Sequence, residues 1–183
     1  MRIAFSGTHY SGKSTLIQAL LLEIHGYEVF EEPYWILTEL GRHFSDPPTI
    51  EEFEEQLDYS IDLIKKSSRK ALFDRCPLDF LAYALAIAEE NSIDFDSEKW
   101  ESRIAKTLPA LDLILFLPLE DPDLIPVPPT EDKKFRKLVD EKLRELMIED
   151  SRGIMKTKVL EVSGTISDRI DKIKQFDPSL LSY

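Results

Sequence analysis

A three-layer α/β sandwich, five parallel strands between helices, is the fold this sequence predicts, on three observations. Short apolar runs alternate with helical patterns along the whole chain. The first run, "RIAF", leads straight into an octet bounded by Gly7 and Gly12, and a helical pattern follows at once. A later run, "DLILFLPL", puts five apolar residues between Asp112 and Pro118, the clearest strand in the chain. Parallel strands joined by helical crossovers fit this order.

Each element has its own signal. After the first strand, "STLIQALLLEI" spaces Leu16, Leu20 and Ile24 by four, a helix. "GYEVFEEP" is a second strand, opened by Gly26 and closed by Pro33, and "YWILTELGRHF" reads as a helix ended by "SDPPT". Ile50, Phe53, Leu57, Ile61 and Ile64 mark one face of a long helix, and Thr49 with Glu52 forms a capping box at its start. "KALFDR" is a third strand. "PLDFLAYALAIAEE" is apolar almost all round, which predicts a buried helix with Pro77 in its first turn. "SEKWESRIAKTL" is a further helix, before the fourth strand. Four prolines in "EDPDLIPVPPT" forbid regular structure. An amphipathic helix follows, with Phe135, Val139, Leu143 and Leu146 on one side, then the strand "KVLEV" and the helix "TISDRIDKIKQF". No repeat or linker divides the chain, so residues 1–183 are expected to form one domain with a lid-like segment at about 118–149.

Composition narrows the function. The chain has 183 residues, 43% hydrophobic and 32% charged, and a formal net charge of -12. An acidic surface repels a nucleic-acid backbone, and no basic block is long enough to override it. No apolar run approaches the ~20 residues that span a bilayer. One cysteine, Cys76, forms no internal disulfide, and the apolar stretch after Arg2 is too short for a signal peptide. A cytoplasmic protein, a monomer or homodimer, is the expectation, with no nucleic-acid or membrane partner.

The octet "GTHYSGKS" fits G-x-x-x-x-G-K-[ST], with a strand before it and a helix after it. Gly7 and Gly12 permit backbone angles and close approaches that a side chain would block. The amides of Gly7, Thr8, His9, Tyr10, Ser11, Gly12, Lys13 and Ser14 are then expected to cradle phosphate oxygens at a helix N-terminus. Lys13 places its ammonium on the outer phosphates, the Ser14 hydroxyl is a ligand for Mg²⁺, and Thr15 touches an inner phosphate. ATP and Mg²⁺ are the implied cofactors. The bland alternative is a glycine-containing turn with a solvated lysine.

In an open parallel sheet, ligands bind beyond the carboxyl ends of the strands. That places Glu31 and Glu32, Asp74 and Arg75, Pro118 and Glu120, and Ser163, Gly164 and Thr165 at one edge with the octet. Asp112 starts its strand and belongs to the opposite edge. Asp74 sits where a carboxylate holds Mg²⁺, often through water, and Arg75 is poised to contact substrate or phosphate; a salt bridge between neighbours is the competing reading. Glu31 and Glu32 are candidates for a general base, or else charges favoured at the N-terminus of the following helix. Tyr34 and Trp35 are able to stack on a planar base, but large aromatics are expected in the core. Cys76 is expected as a small buried residue, and His9, His25 and His43 lack metal-ligand spacing. Arg136 and the neighbouring lysines suit a lid that closes over a triphosphate and supplies transition-state charge, though an amphipathic helix with a solvated face also accounts for them.

Together, "GTHYSGKST", "EEP", "FDRCPLDFLAYA" and "LEVSGTISDRI" resemble P-loop kinases of the nucleoside and nucleotide kinase type. The likeness is greatest to small AAA-labelled ATPases related to ribosylnicotinamide kinase domains, and it runs from Arg2 to about Asp171. It implies strand order 2-3-1-4-5 and an ATP- and Mg²⁺-dependent transfer of phosphate to a small acceptor: a nucleoside, a nucleotide or a cofactor-precursor riboside. By resemblance to deoxynucleoside kinases, Glu32-Pro33 carries the base and Arg75 lies near the substrate; the base assignment stays open among Glu31, Glu32 and Asp74. Gly164 and Thr165 occupy the place where such folds contact adenine through backbone. Trp35 sits nearer the Glu-Pro pair than the tryptophan of that family, Cys76 stands where serine is common, and the lid is lysine-rich. The competing function is an ATP-binding regulatory switch with slow hydrolysis and a protein partner. The chain lacks an N-K-x-D guanine-reading sequence and an L-S-G-G-Q signature, which argues against a GTPase or a transporter ATPase.

Overall fold

The structure is a computed structural model that describes residues 1–178. Five parallel strands form the sheet: β1 (Arg2–Ser6), β2 (Glu28–Phe30), β3 (Ala71–Asp74), β4 (Leu113–Phe116) and β5 (Lys158–Glu161). Their order is β2-β3-β1-β4-β5, as the resemblance implies. Side chains on the central strands alternate between two faces, and both faces are buried. Ile3, Phe5, Leu72, Leu113 and Leu115 meet α1 (Lys13–Leu21) and α7 (Ile166–Phe176) on one side. Ala4, Phe73, Ile114 and Phe116 meet α3 (Ile50–Lys66), α4 (Pro77–Glu90), α5 (Glu98–Thr107) and α6 (Lys133–Met147) on the other. The short helix α2 (Pro33–Glu39) follows the edge strand β2 and leans on α3.

Most elements lie where the sequence puts them. The Thr49–Glu52 capping box opens α3, and Pro77 is in the first turn of α4, of which ten residues are buried. Three ends differ. The helix after the octet stops at Leu21 rather than Ile24, and Leu22 beyond it is 83% exposed. The expected 34–44 helix is only seven residues long, α2, and residues 38–43 are all exposed, so no core contact carries the helix further. Asp132 caps α6 with its carboxylate on the Lys134 and Phe135 amides, so α6 starts at Lys133 rather than at Glu131, where the amphipathic stretch "EDKKFRKLVDEKLRELMIE" opens. Asp112 lies at the opposite edge as expected, accepting from the Arg2 amide at 2.7 Å. No helix among the described residues is long and apolar enough to cross a membrane. The domain expected over 1–183 ends in residues 179–183, which lie outside the described ones.

Candidate functional site

Register brings the site together. Phe5 is level with Asp74, and Ser6 with Phe116, so the loop after β1 emerges between the ends of β3 and β4. A Cβ at Gly7 would lie 2.6 Å from the Leu117 carbonyl oxygen, and one at Gly12 would lie 2.5 Å from Ile125 Cδ1. With φ of +152° and +89°, both positions require glycine.

Between these glycines, donors from five side chains hold the main-chain carbonyls. Lys13 Nζ donates to Gly7 O at 3.0 Å and Thr8 O at 2.8 Å. Arg75 Nη1 also donates to Gly7 O, at 3.1 Å. The Thr8 hydroxyl donates to His9 O at 3.2 Å. Arg136 donates to His9 O at 2.8 Å and Tyr10 O at 3.2 Å, and Arg169 Nη1 to Ser11 O at 2.8 Å. The Gly7 amide is held by Asp79 Oδ1 at 3.0 Å and the His9 amide by the Tyr83 hydroxyl at 3.2 Å. The N–H groups from Tyr10 to Ser14 donate to no group among the described residues. Carbonyls fixed by cations and a run of amides left with no protein partner at a helix start make a cradle for an oxyanion. Burial, with Arg75 close by, pushes the Lys13 ammonium down to about 8, a shift that an incoming anion reverses.

Beside the loop, the Ser14 hydroxyl donates to Asp74 Oδ2 at 2.7 Å. The second oxygen of Asp74, Oδ1, is buried with no partner. A hydroxyl and a carboxylate with spare lone pairs are the hard oxygen donors that Mg²⁺ takes, so these residues fit the ion. Thr15 is exposed next to them.

At the other wall, Glu32 stands at the N-cap position of α2, its side chain turned instead to Arg75, accepting from Nε at 2.7 Å. Arg75 is 2% exposed, sits at φ +99°, and also meets Asp79 Oδ1 at 3.4 Å. Its guanidinium lies 5.0 Å from the centre of the Tyr83 ring. Such a left-handed arginine is strained, and the paired carboxylates on either side hold it there. Burial raises the Glu32 pKa, but Arg75 and Lys13 outweigh it, so the carboxyl rests below its ordinary range. Glu31 is exposed. Cys76 is fully buried at the start of α4, and burial pushes its thiol up.

An open cleft of about 770 Å³ runs from Lys13 and Ser14 past Glu32 to Tyr34, Phe44 and Gln56. Tyr34 stacks on Phe44 with centroids 4.9 Å apart, and Phe53 stacks on Tyr83 at 5.0 Å. Trp35, expected in the core, is 57% exposed at the cleft. The correction has a simple cause: α2 is too short to bury more than Pro33, so its aromatics edge the cleft instead.

Two further expectations meet a different placement. Arg136, read in the sequence either as a lid cation or as part of a solvated amphipathic face, is 4% exposed and bound to the loop carbonyls and to Asp123 at 2.8 Å, and so positions the loop. The main-chain groups of Gly164, expected at adenine, are already engaged: its N–H donates to Glu120 Oε1 at 2.7 Å and its carbonyl accepts from Arg169 Nε at 3.0 Å. Thr165 caps α7 through Asp168.

Asp79, Tyr83 and Arg169 were missed by sequence reasoning. Asp79 stands at the acidic position of a capping box, but Cys76 replaces the usual serine or threonine, which hides the pattern. Tyr83 looks like one more core aromatic of α4. Arg169 lies 158 residues from its acceptor, Ser11, which no local spacing reveals.

The model of the AAA domain matches residues 2–169. A search of curated proteins finds no match. Among solved structures, a deoxyadenosine kinase from M. mycoides with bound dCMP and dCDP superposes with a TM-score of 0.68 at 16% identity, covering 98% of this chain and 100% of its own. Thymidylate kinase from Candida albicans gives 0.62 at 18% identity, covering 97% and 91%. NadR in complex with NAD and AMP-PNP gives 0.65 at 16%; it covers 97% of this chain, which spans only 49% of NadR. Loop, sheet order and superpositions agree on one architecture: the chain belongs to the AAA domain family and has the fold of the P-loop nucleotide kinases.

Proposed function

We propose that the protein is a Mg²⁺-dependent phosphotransferase that moves the γ-phosphoryl of ATP to a hydroxyl of a small ring-bearing acceptor. The observation that carries this reading is the run of unpaired amides from Tyr10 to Ser14, set between Lys13 and the Ser14–Asp74 pair and opening onto Glu32. The amides and Lys13 take the phosphates of ATP. Ser14 and Asp74 hold Mg²⁺, which when bound neutralises charge on the outer phosphates. The acceptor lies along Tyr34, Phe44 and Gln56, where aromatic faces and an amide suit a planar ring. Its hydroxyl oxygen attacks the γ-phosphorus, the bond to the bridging oxygen breaks, ADP leaves, and the hydroxyl proton passes to Glu32. Arg75 keeps Glu32 ionised and aimed. Arg136 and Arg169 keep the loop carbonyls turned outward. Arg169 also ties the Gly164 carbonyl to Ser11 of the loop.

One observation favours a second reading, a nucleotide-dependent switch. Ile125 of the proline-rich segment rests on Gly12, and Glu120 and Asp123 of the same segment bind Arg169 and Arg136. Nucleotide entry therefore acts on residues 118–131, which a protein partner is able to sense. A panel of nucleosides, nucleotides and vitamin-like ribosides, assayed for acceptor-stimulated release of ADP, separates the two. Stimulation by one acceptor class is expected, whereas none across the panel with a nucleotide-dependent protein partner replaces the kinase with the switch.

A further inference from the structure

The acceptor end of the cleft is built for a molecule without a phosphate. Lys13 and Arg75 are the only lysine and arginine among its described lining residues. Lys13 is bound to the loop carbonyls of Gly7 and Thr8, on the donor side. Arg75 lies between two carboxylates, Glu32 and Asp79, with its side chain 2% exposed. One guanidinium between two carboxylates leaves no positive charge over for a ligand. Further out, the charged lining residues are acidic: Asp46 on the α2–α3 side and Glu131 on the side of the proline-rich segment. Glu131 faces His9, with Oε1 3.7 Å from Nδ1. Lys133 and Lys134 at the start of α6 do not line the cleft, and Lys137 is directed to Glu141.

A phosphate monoester carries a charge of about -1.5 to -2 near neutral pH. Placed next to Glu32, it meets a like charge in a partly desolvated site, where repulsion is stronger than in water. A neutral hydroxymethyl group meets no such opposition and offers Glu32 a proton. The same wall provides Tyr34, Phe44 and Phe53 as flat apolar contacts, with the buried Gln56 amide, whose Nε2 is held by Glu52 O at 3.2 Å, to read one edge of a ring. We infer that the acceptor is an unphosphorylated nucleoside-type alcohol, and that the cleft excludes nucleoside monophosphates by charge. The inference rests on the kinase reading above for which group reacts, and on the cleft alone for which ligand binds.

The test is therefore a binding experiment, with turnover measured separately. The full-length protein, loaded with Mg²⁺ and a nonhydrolysable ATP analogue, is titrated with matched pairs of nucleosides and their 5′-monophosphates, followed by calorimetry and Trp35 fluorescence. At least one nucleoside is expected to bind, with its monophosphate at least tenfold weaker, and Asp46→Lys is expected to narrow that gap. A monophosphate that binds as tightly as its nucleoside overturns the inference, as does a series in which no nucleoside binds. Nucleoside binding without phosphoryl transfer to it, by contrast, refutes the kinase reading and leaves the charge selection standing. Transfer to monophosphates in preference to nucleosides refutes the selection and leaves the kinase standing.

Discussion

The phosphate loop and the aromatic wall opposite it are held in opposite ways. In the loop, every carbonyl from Gly7 to Ser11 has a side-chain partner, and the donors come from α1, α6 and α7, from Arg75 and from Thr8 of the loop itself. Across the cleft, Trp35 is more than half exposed, Tyr34 is held by ring contacts with Trp35 and Phe44, and Phe44 has the Arg42 guanidinium 5.3 Å over its ring. Main-chain recognition works only if the backbone cannot move, since an amide displaced by an ångström no longer meets its oxygen. On the kinase reading, the loop would set the chemistry and the aromatic wall the acceptor.

Substitutions on the two sides should separate accordingly. The largest effect is expected from Lys13→Ala on the rigid side: a loss of transfer of about 10³-fold or more with the fold retained, checked by turnover and circular dichroism. Wild-type turnover in that variant breaks the comparison, because the rigid region would then not carry the chemistry. Next is Glu32→Gln, at the seam between the regions. It should slow kcat by about 10²- to 10⁴-fold with little change in ATP affinity, which steady-state kinetics and calorimetry measure together. If Asp74→Asn shows that pattern instead, the base moves to Asp74.

The third effect is a shift rather than a loss. The net pull of Arg75 and Lys13 against burial holds Glu32 below its ordinary pKa, so its carboxylate stays ionised into acid. Arg75→Gln removes the guanidinium and leaves burial to raise the carboxyl, so the acid limb of the pH–kcat/KM profile should move to higher pH. Arg75→Lys, which keeps the charge, should move it less. An unchanged limb in both variants removes Glu32 as the base. The smallest effect belongs to the loose side: Trp35→Ala should raise the acceptor KM by about tenfold, on the order of 1 kcal/mol of stacking, with the KM for ATP unchanged.

The same contrast explains what was legible in the sequence. The octet, the alternation of elements and the apolar centre of β4 are local patterns, and they yield the α/β layering and the loop position; the edge rule gathers Ser14, Asp74, Glu32 and Arg75 at one edge, and strand order comes from the family resemblance. The edge rule separates Asp112 from Asp74 correctly because strand direction alone decides it. What stayed hidden depends on distance along the chain or on helix length. Arg136 and Arg169 reach loop carbonyls 127 and 158 residues away, and a charge in an amphipathic pattern gives no sign of such a partner. Asp79 was obscured by the cysteine that stands in for a hydroxyl at the cap. The size of Trp35 points to the core and its ring chemistry to stacking on a planar base, and its exposure on the short α2 favours the second.

The central claim is that the amides from Tyr10 to Ser14, with Lys13 and the Ser14–Asp74 pair, bind a nucleotide triphosphate together with a divalent cation. Calorimetric titration of the wild-type protein with a nonhydrolysable ATP analogue, with and without Mg²⁺, tests it most directly. The account predicts saturable one-to-one binding that weakens without the metal; no heat in either titration contradicts it.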